Sequence, residues 1–293
     1  MEKVLINLID KTITNSKSLV DAAAFCGTRQ HDARSPNLVE YVRDRSHWDG
    51  ITIFTDKTLD LVDTVDSKIK VGIILESWVL DPMAYNIALS LQHKFDYIFT
   101  YNPNLLNLNP DKFKFNTVGT VTLEPESTKI QNKSKLVSMI YSEKSFLPGH
   151  KVRHHLANNV IPKLFSVDFF GLGANNPISR KSEGLSKYMF SIEVENCYLP
   201  NYFTEKILDC FAVGTVPIYF GCPNIDNFFN KSGILCFKSD EDLKNILPSL
   251  NQDLYNDLMP FIKENYDITM EKYYHQDDNI YKEILRSENR KLK

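Results

Sequence analysis

Short apolar runs recur along this chain with polar or helix-period segments between them: Val4 to Ile9, Ile51 to Phe54, Val71 to Leu75, Tyr97 to Tyr101, Leu136 to Tyr141, Leu164 to Phe170, Met189 to Val194, Val216 to Phe220 and Ile234 to Phe237. Runs of this length, rich in β-branched and aromatic residues, read as buried strands of parallel sheets joined by crossover helices. Helical spacing marks Ser18 to Ala24, Pro82 to Leu91, Lys151 to Val160, Glu205 to Val213, Asp240 to Leu247 and a long stretch from Gln252. The pattern predicts an α/β chain of two Rossmann-like halves facing each other across a cleft. Pro148 and Gly149 interrupt it, which sets the expected border between residues 1-148 and 149-293. The C-terminal helix can pack back on the first half. No internal repeat and no low-complexity linker is visible.

The densest segment is KYMFSIEVENCYLPNYFTEKILDCFAVGTVPIYFG, Lys187 to Gly221. Met189 to Val194 and Thr215 to Phe220 read as strands. Between them Thr204 is placed as an N-cap, Ile207, Leu208 and Phe211 fall at helical spacing, and Gly214 supplies the stop. In this β-loop-α-β unit Glu205 and Lys206 occupy the first helical turn. Backbone N–H groups left unpaired at a helix start, with a lysine beside them, suit anionic oxygens such as a diphosphate. An ordinary crossover with a solvated helix start has the same charge placement.

Composition bounds the rest. A chain of 293 residues with 43% hydrophobic content can bury one large core or two smaller ones. A formal net charge of −3 offers no global basic field for nucleic acid. The cysteines, Cys26, Cys197, Cys210, Cys222 and Cys236, are odd in number and contain no C-x-x-C pair, so reduced thiols are expected rather than a disulfide framework or a zinc site. The start, MEKVLINLID, mixes acidic with apolar residues and lacks a long hydrophobic stretch. It predicts no signal peptide or membrane anchor, hence a cytoplasmic protein. In that compartment the sequons at Asn132 and Asn230 carry no glycan. The final SENRKLK is basic and could touch an acidic membrane, although it suits a solvated tail as well.

The spacing aromatic-x-apolar-x-x-Glu-Asn, then Tyr-x-Thr-Glu-Lys, a helix and Gly-x-Val-Pro-Ile-x-x-Gly resembles the donor-binding signature of the α1,3/α1,4-fucosyltransferases, glycosyltransferase family 10. The matching positions are Phe190, Ile192, Glu195, Asn196, Tyr202, Thr204, Glu205, Lys206, Gly214, Val216, Pro217, Ile218 and Gly221. The resemblance implies the GT-B architecture, GDP-fucose as donor, a glycan acceptor, and catalysis with inversion and without a metal. Animal members carry a membrane anchor, so the start of this chain points to a bacterial or viral type.

Sugar transfer with inversion needs a base that takes the acceptor hydroxyl proton as its oxygen attacks the anomeric carbon. LESWVLDP, followed later by FDYIFTY, is similar to the family's L-E-S-P and F-x-x-x-x-T-Y segments, and the match puts the family's proposed base at Glu76. A solvated glutamate or a helix cap is the plain reading of the same residue. Arg153 resembles the arginine that binds the donor diphosphate, and with Lys206 it would stabilise the departing nucleoside diphosphate. Its plain reading is a solvated charge among Lys151, His154 and His155. The resemblance gives Glu205 and Tyr202 to the nucleoside, leaves Glu195 and Asn196 to face the transferred sugar or to order the loop, and places Asp168 and Gly171 at a base pocket or a turn.

Several positions depart from the pattern. Trp78 stands where proline is usual, Asn102, Pro103 and Asn104 where many members carry arginine and acidic residues, Val194 for phenylalanine and Cys197 for serine. Glu193 replaces a small or apolar residue and is expected to point to solvent from an edge of its strand. Another nucleotide sugar on the same scaffold, or a glycan-binding protein that has lost turnover, are the alternatives to a fucosyltransferase.

Overall fold

The computed structural model describes residues 2–11 and 36–291. The helix expected at Ser18 to Ala24 and the thiol of Cys26 lie outside them. Along the first part of the chain run β1 (Val4–Ile9), β2 (Val39–Arg43), β3 (His47–Thr55), β4 (Asp66–Ile73), α1 (Pro82–Leu91), β5 (Tyr97–Thr100), α2 (Pro103–Leu108) and β6 (Phe113–Phe115). Then follow β7 (Lys135–Ile140), α3 (Pro148–His155), β8 (Asp168–Phe170), β9 (Tyr188–Val194), α4 (Glu205–Val213), β10 (Val216–Phe220), β11 (Leu235–Cys236), α5 (Asp240–Ile246), α6 (Gln252–Lys272) and α7 (Gln276–Lys291).

The chain forms two compact units, residues 1–120 with 275–293, and residues 121–274. In the first, six parallel strands take the order β2-β1-β3-β4-β5-β6. Ile6, Leu8, Ile53, Val71 and Phe99 from this sheet bury against Ile280 and Ile284 of α7. Polar contacts fix the helix in the same place: Asp278 accepts the backbone N–H groups of Asn37 and Leu38, both at 2.9 Å, and Tyr41 Oη donates to Asp277 at 2.8 Å. Tyr97 Oη donates to Glu288 at 2.6 Å, so Ser287 to Lys291, read from sequence as a tail, continues a docked helix.

The second unit holds five parallel strands in the order β11-β10-β9-β7-β8. Its border lies at Thr120/Val121 rather than at residue 148. Val121 and Leu123 already belong to its core, and β7 pairs with β9. Pro148 and Gly149 do not link domains. Pro148 opens α3, where a missing N–H costs nothing, and Gly149 allows a close backbone approach described below. Leu164 and Phe165 precede the short β8 and pack on the core from outside the sheet. No helix among the described residues is long and apolar enough to cross a membrane.

Ile284 is fully buried in the apolar cluster on the sheet of the first unit, and truncating it leaves a cavity. Ile284→Ala is expected to lower the stability of the full chain by about 2–4 kcal/mol, measured by urea unfolding; a loss under about 1 kcal/mol would mean that α7 is not part of that core.

Candidate active site

In open α/β sheets ligands bind beyond the carboxyl ends of the strands, where the strand order reverses. In the second unit that point lies between β7 and β9, because the chain passes from β7 outward to β8 and then returns to β9 on the other side. Glu195 follows β9 there and is completely buried. Its carboxylate accepts from the backbone N–H and from Oγ1 of Thr204, both at 2.8 Å. The same threonine oxygen caps α4 through Lys206 N at 3.4 Å and receives Lys206 Nζ at 3.0 Å. Lys206 Nζ also lies 3.1 Å from Glu205 and 3.4 Å from Glu195. The loop 196–203 is thereby closed at its base, and the lysine head is held at the helix start.

Arg153 reaches the same place from α3. Its Nε donates to Val194 O at 2.8 Å and Nη2 to Asn196 Oδ1 at 2.5 Å. Gly149, one turn earlier, donates its N–H to Asn196 O at 2.9 Å, and a Cβ built on it would lie 1.8 Å from Glu195 O. Only glycine permits that approach. Between them His150 is buried, with Nδ1 accepting from Leu147 N at 3.2 Å, and burial followed by the charges of Arg153, Lys144 and Lys206 lowers it to about 4. Arg153, Glu195, Asn196, Thr204, Glu205 and Lys206 are thus brought together. Tyr202 is buried beside Phe203, and Asn201 before it takes a positive φ of 61° and exchanges two bonds with Asn224, at 2.9 and 2.8 Å.

Glu193 departs from expectation. β9 is a central strand, and the carboxylate lies on the face that α4 covers, accepting from Ser191 Oγ at 2.7 Å and Cys210 Sγ at 3.5 Å. Burial raises it to about 7 against the pull of Lys181, Ser191 and Lys206. Nearby, fully buried Asp209 of α4 receives Thr122 N at 2.7 Å, Thr122 Oγ1 at 2.6 Å and Lys181 Nζ at 2.7 Å. Sequence reasoning missed this network; the available signal was an acid in the middle of a helix that is apolar on every face beyond its first turn. Asp168 begins β8, at the end of the sheet away from the site, where it accepts from Lys135 at 2.8 Å and Tyr188 at 2.6 Å. It has no place in a base pocket there, while Gly171, with φ 95°, makes the turn that follows. His154 and His155 diverge, to Lys144 O at 3.0 Å and Asp240 at 2.9 Å.

Glu76 belongs to the first unit, in the loop after β4, and is half-buried. Its N–H donates to Asp56 Oδ1 at 3.2 Å and its carbonyl accepts from Tyr85 Oη at 2.8 Å. Trp78, two residues on, is exposed. Asn102 caps α2 through Asn104 N at 2.9 Å and Leu105 N at 3.3 Å, which gives a structural reason for Asn-Pro-Asn at that point.

A model of the family described as glycosyltransferase family 10 (fucosyltransferase), C-terminal part, matches residues 130–282, more than half of the chain and nearly all of the second unit. The chain belongs to glycosyltransferase family 10. It is 41% identical over 78 residues to α-(1,3)-fucosyltransferase B of Drosophila melanogaster, covering 25% of this chain and 18% of that protein. With α-(1,3)-fucosyltransferase FucT of Helicobacter pylori it shares 32% over 114 residues, 39% of this chain and 19% of the relative. With GDP-fucose protein O-fucosyltransferase 3 of Xenopus tropicalis it shares 35% over 99 residues, 30% and 20%. The matches thus span about a fifth of these relatives' length.

Among solved structures, an α1,3-fucosyltransferase superposes with a TM-score of 0.57 at 14% identity over 90% of this chain and 82% of the other, and its form with GDP-fucose at 0.52. An α-glucosyltransferase in complex with UDP and DNA gives 0.56 at 13% identity over 97% and 99%. These likenesses show the fold, the two-sheet α/β fold of the GT-B glycosyltransferases.

Glu193 holds its proton to about pH 7 in the folded protein against an ordinary value of 4.5, so its burial costs stability as pH rises across that window. Glu193→Gln is therefore expected to melt higher than the wild type at pH 8 by several degrees more than at pH 5. A melting difference independent of pH would show that Glu193 does not titrate there.

Proposed function

We propose that this protein is an inverting, metal-independent fucosyltransferase that moves fucose from GDP-fucose to a hydroxyl of a glycan, an N-acetylglucosamine or a glucose unit. The observation that carries the reading is the convergence of Lys206, Arg153 and the start of α4 on the closed loop after β9, in the segment that the family model covers. Two cations and a helix start offer directed donors to a diphosphate, and negative charge grows there as the bond to the sugar breaks. Arg153 presents a planar fork and Lys206 a point charge, so together they spread the leaving-group charge. Glu205 accepts from the ribose hydroxyls, and Tyr202 and Asn196 complete the donor pocket.

Glu76 takes the acceptor hydroxyl proton while the oxygen attacks the anomeric carbon opposite the diphosphate, which inverts that centre. The donors named for the α1,3-fucosyltransferase complex and for the Xenopus relative support GDP-fucose. The second reading, a different nucleotide sugar on the same scaffold, rests on the fold likeness to an α-glucosyltransferase bound to UDP. Loss of turnover with retained glycan binding is a third outcome that the assays below separate.

A nucleotide that binds only the native state raises its melting temperature. GDP is expected to shift it more than UDP or CMP at equal concentration, in a thermal shift assay. Equal shifts with UDP would remove the GDP assignment. EDTA should leave transfer intact, and activity lost to EDTA and restored by manganese would refute the metal-independent part.

Glu76→Gln keeps size and removes the proton acceptor, so transfer should fall by about two orders of magnitude or more with GDP affinity near wild type. Lys206→Ala should lower nucleotide affinity and turnover together, costing about 2 kcal/mol or more in transition-state stabilisation. Steady-state kinetics with GDP titrations check both. Near-normal transfer by Glu76→Gln would assign the base to another carboxylate.

A further inference from the structure

The strand order of the first unit also reverses, between β1 and β3, and each of these strands is followed by a buried acid, Asp10 and Asp56. Asp10 is engaged by the neighbouring strands: Thr55 Oγ1 donates to its carboxylate, and Arg43 Nη2 to its carbonyl at 3.2 Å. Asp56 acts at a distance of twenty residues along the chain. Its Oδ1 accepts the backbone N–H of Leu75 at 2.9 Å and of Glu76 at 3.2 Å. The residue has a φ of 37°, in the left-handed region that side chains other than Asn and Asp rarely enter. At the carbonyl of the same residue, Tyr85 Oη of α1 donates to Glu76 O at 2.8 Å and pairs with Tyr101 Oη at 3.0 Å. The main chain of Glu76 is thus gripped at its N–H by Asp56 and at its carbonyl by Tyr85. A glutamate serving only as a solvated loop residue needs no such clamp.

We propose that Asp56 is a positioning residue for Glu76: through Oδ1 it fixes the loop that carries the base, and its carboxyl places a second acidic group beside that base. The proposal rests on the reading of Glu76 as the proton acceptor. Among the described residues the charged groups that act on Asp56 are Glu76 on the loop after β4 and Asp81 at the start of α1, while Asp10 is bound to Thr55, the residue before it. Burial raises the Asp56 carboxyl to about 7, with the two N–H bonds pulling it down and Glu76 and Asp81 adding to the rise. Around neutral pH the ionisation of Asp56 therefore adds a negative charge beside Glu76. That charge makes Glu76 a stronger base and strengthens the two bonds that hold it.

Two substitutions separate geometry from charge. Asp56→Gly keeps the backbone freedom and removes the acceptor, whereas Asp56→Asn keeps an acceptor oxygen and removes the ionisation. The full chain is assayed with GDP-fucose and a panel of N-acetylglucosamine- and glucose-containing oligosaccharides, alongside GDP titration and amide hydrogen exchange at residues 75 and 76. For Asp56→Gly, kcat should fall by about tenfold or more at unchanged GDP affinity, and both amides should exchange faster. Asp56→Asn should recover most of kcat while losing the rise in kcat/KM expected of the wild type between about pH 6 and pH 8.

Wild-type kcat and slow exchange in Asp56→Gly would overturn the positioning role. A wild-type pH profile in Asp56→Asn would overturn the role of charge, and this variant decides alone if Asp56→Gly does not fold. A wild type that transfers fucose to no sugar would remove Glu76 as base and the proposal with it, while faster exchange in Asp56→Gly would still show that Asp56 holds the loop.

Discussion

A carboxylate with no exposed surface has to be satisfied within the protein, and Glu195 is satisfied by the loop that it closes. Its two oxygens take the N–H and the hydroxyl of Thr204, which fixes where α4 begins and so where Lys206 stands. Several sequence choices exist to let this happen. Gly221 would, with a Cβ, meet Glu195 Cγ at 2.5 Å, and Gly149 would collide with the Glu195 carbonyl at 1.8 Å. Arg153 then crosses from α3 to Val194 O and Asn196, so that the end of β9 is held by two helices at once. The lysine head is thereby held at the helix start, as the proposed stabilisation of a departing anion requires.

The helix that carries this site is buried almost all round, and that has a cost. Asp209 needs Lys181 and both donors of Thr122, and Glu193 sits under the same helix at the expense of its ionisation. Such groups stabilise little compared with a well-packed apolar core, and removing one partner is worse than replacing all. Their effect is to pin α4 in register. The first unit uses the same device on its own scale, with Asp56 holding the loop of Glu76.

What was legible in the sequence was what local patterning controls. α1, α4 and β10 lie within a residue of the expected bounds, because Thr204, Gly214 and Pro82 mark the helix ends chemically, and β1 does so as a short apolar run. The run Leu164 to Phe170 has the pattern of one strand, but only Asp168–Phe170 pairs. A short apolar run can pack on a core without joining a sheet. β2 and β6 were missed because VEYVR and FKF are short and charged. Pro-Gly at 148 and 149 carries a break signal that here starts a helix, so the border moved to Thr120.

The site residues Arg153, Glu195, Asn196, Thr204, Glu205 and Lys206 were named from spacing and resemblance and stand together. The orientation of Glu193, the role of Asp209 and the reach of Asp56 were not legible, since each depends on contacts far along the chain. The central claim is that the cluster at the end of β9 accepts the diphosphate of GDP-fucose. It is tested most directly by incubating the full chain with a panel of nucleotide sugars and glycan acceptors and measuring which nucleoside diphosphate is released and which sugar appears on the product. GDP release with fucosylated glycan, well above the release from UDP-glucose, is the predicted result; preferential UDP release with a glucosylated product would contradict it.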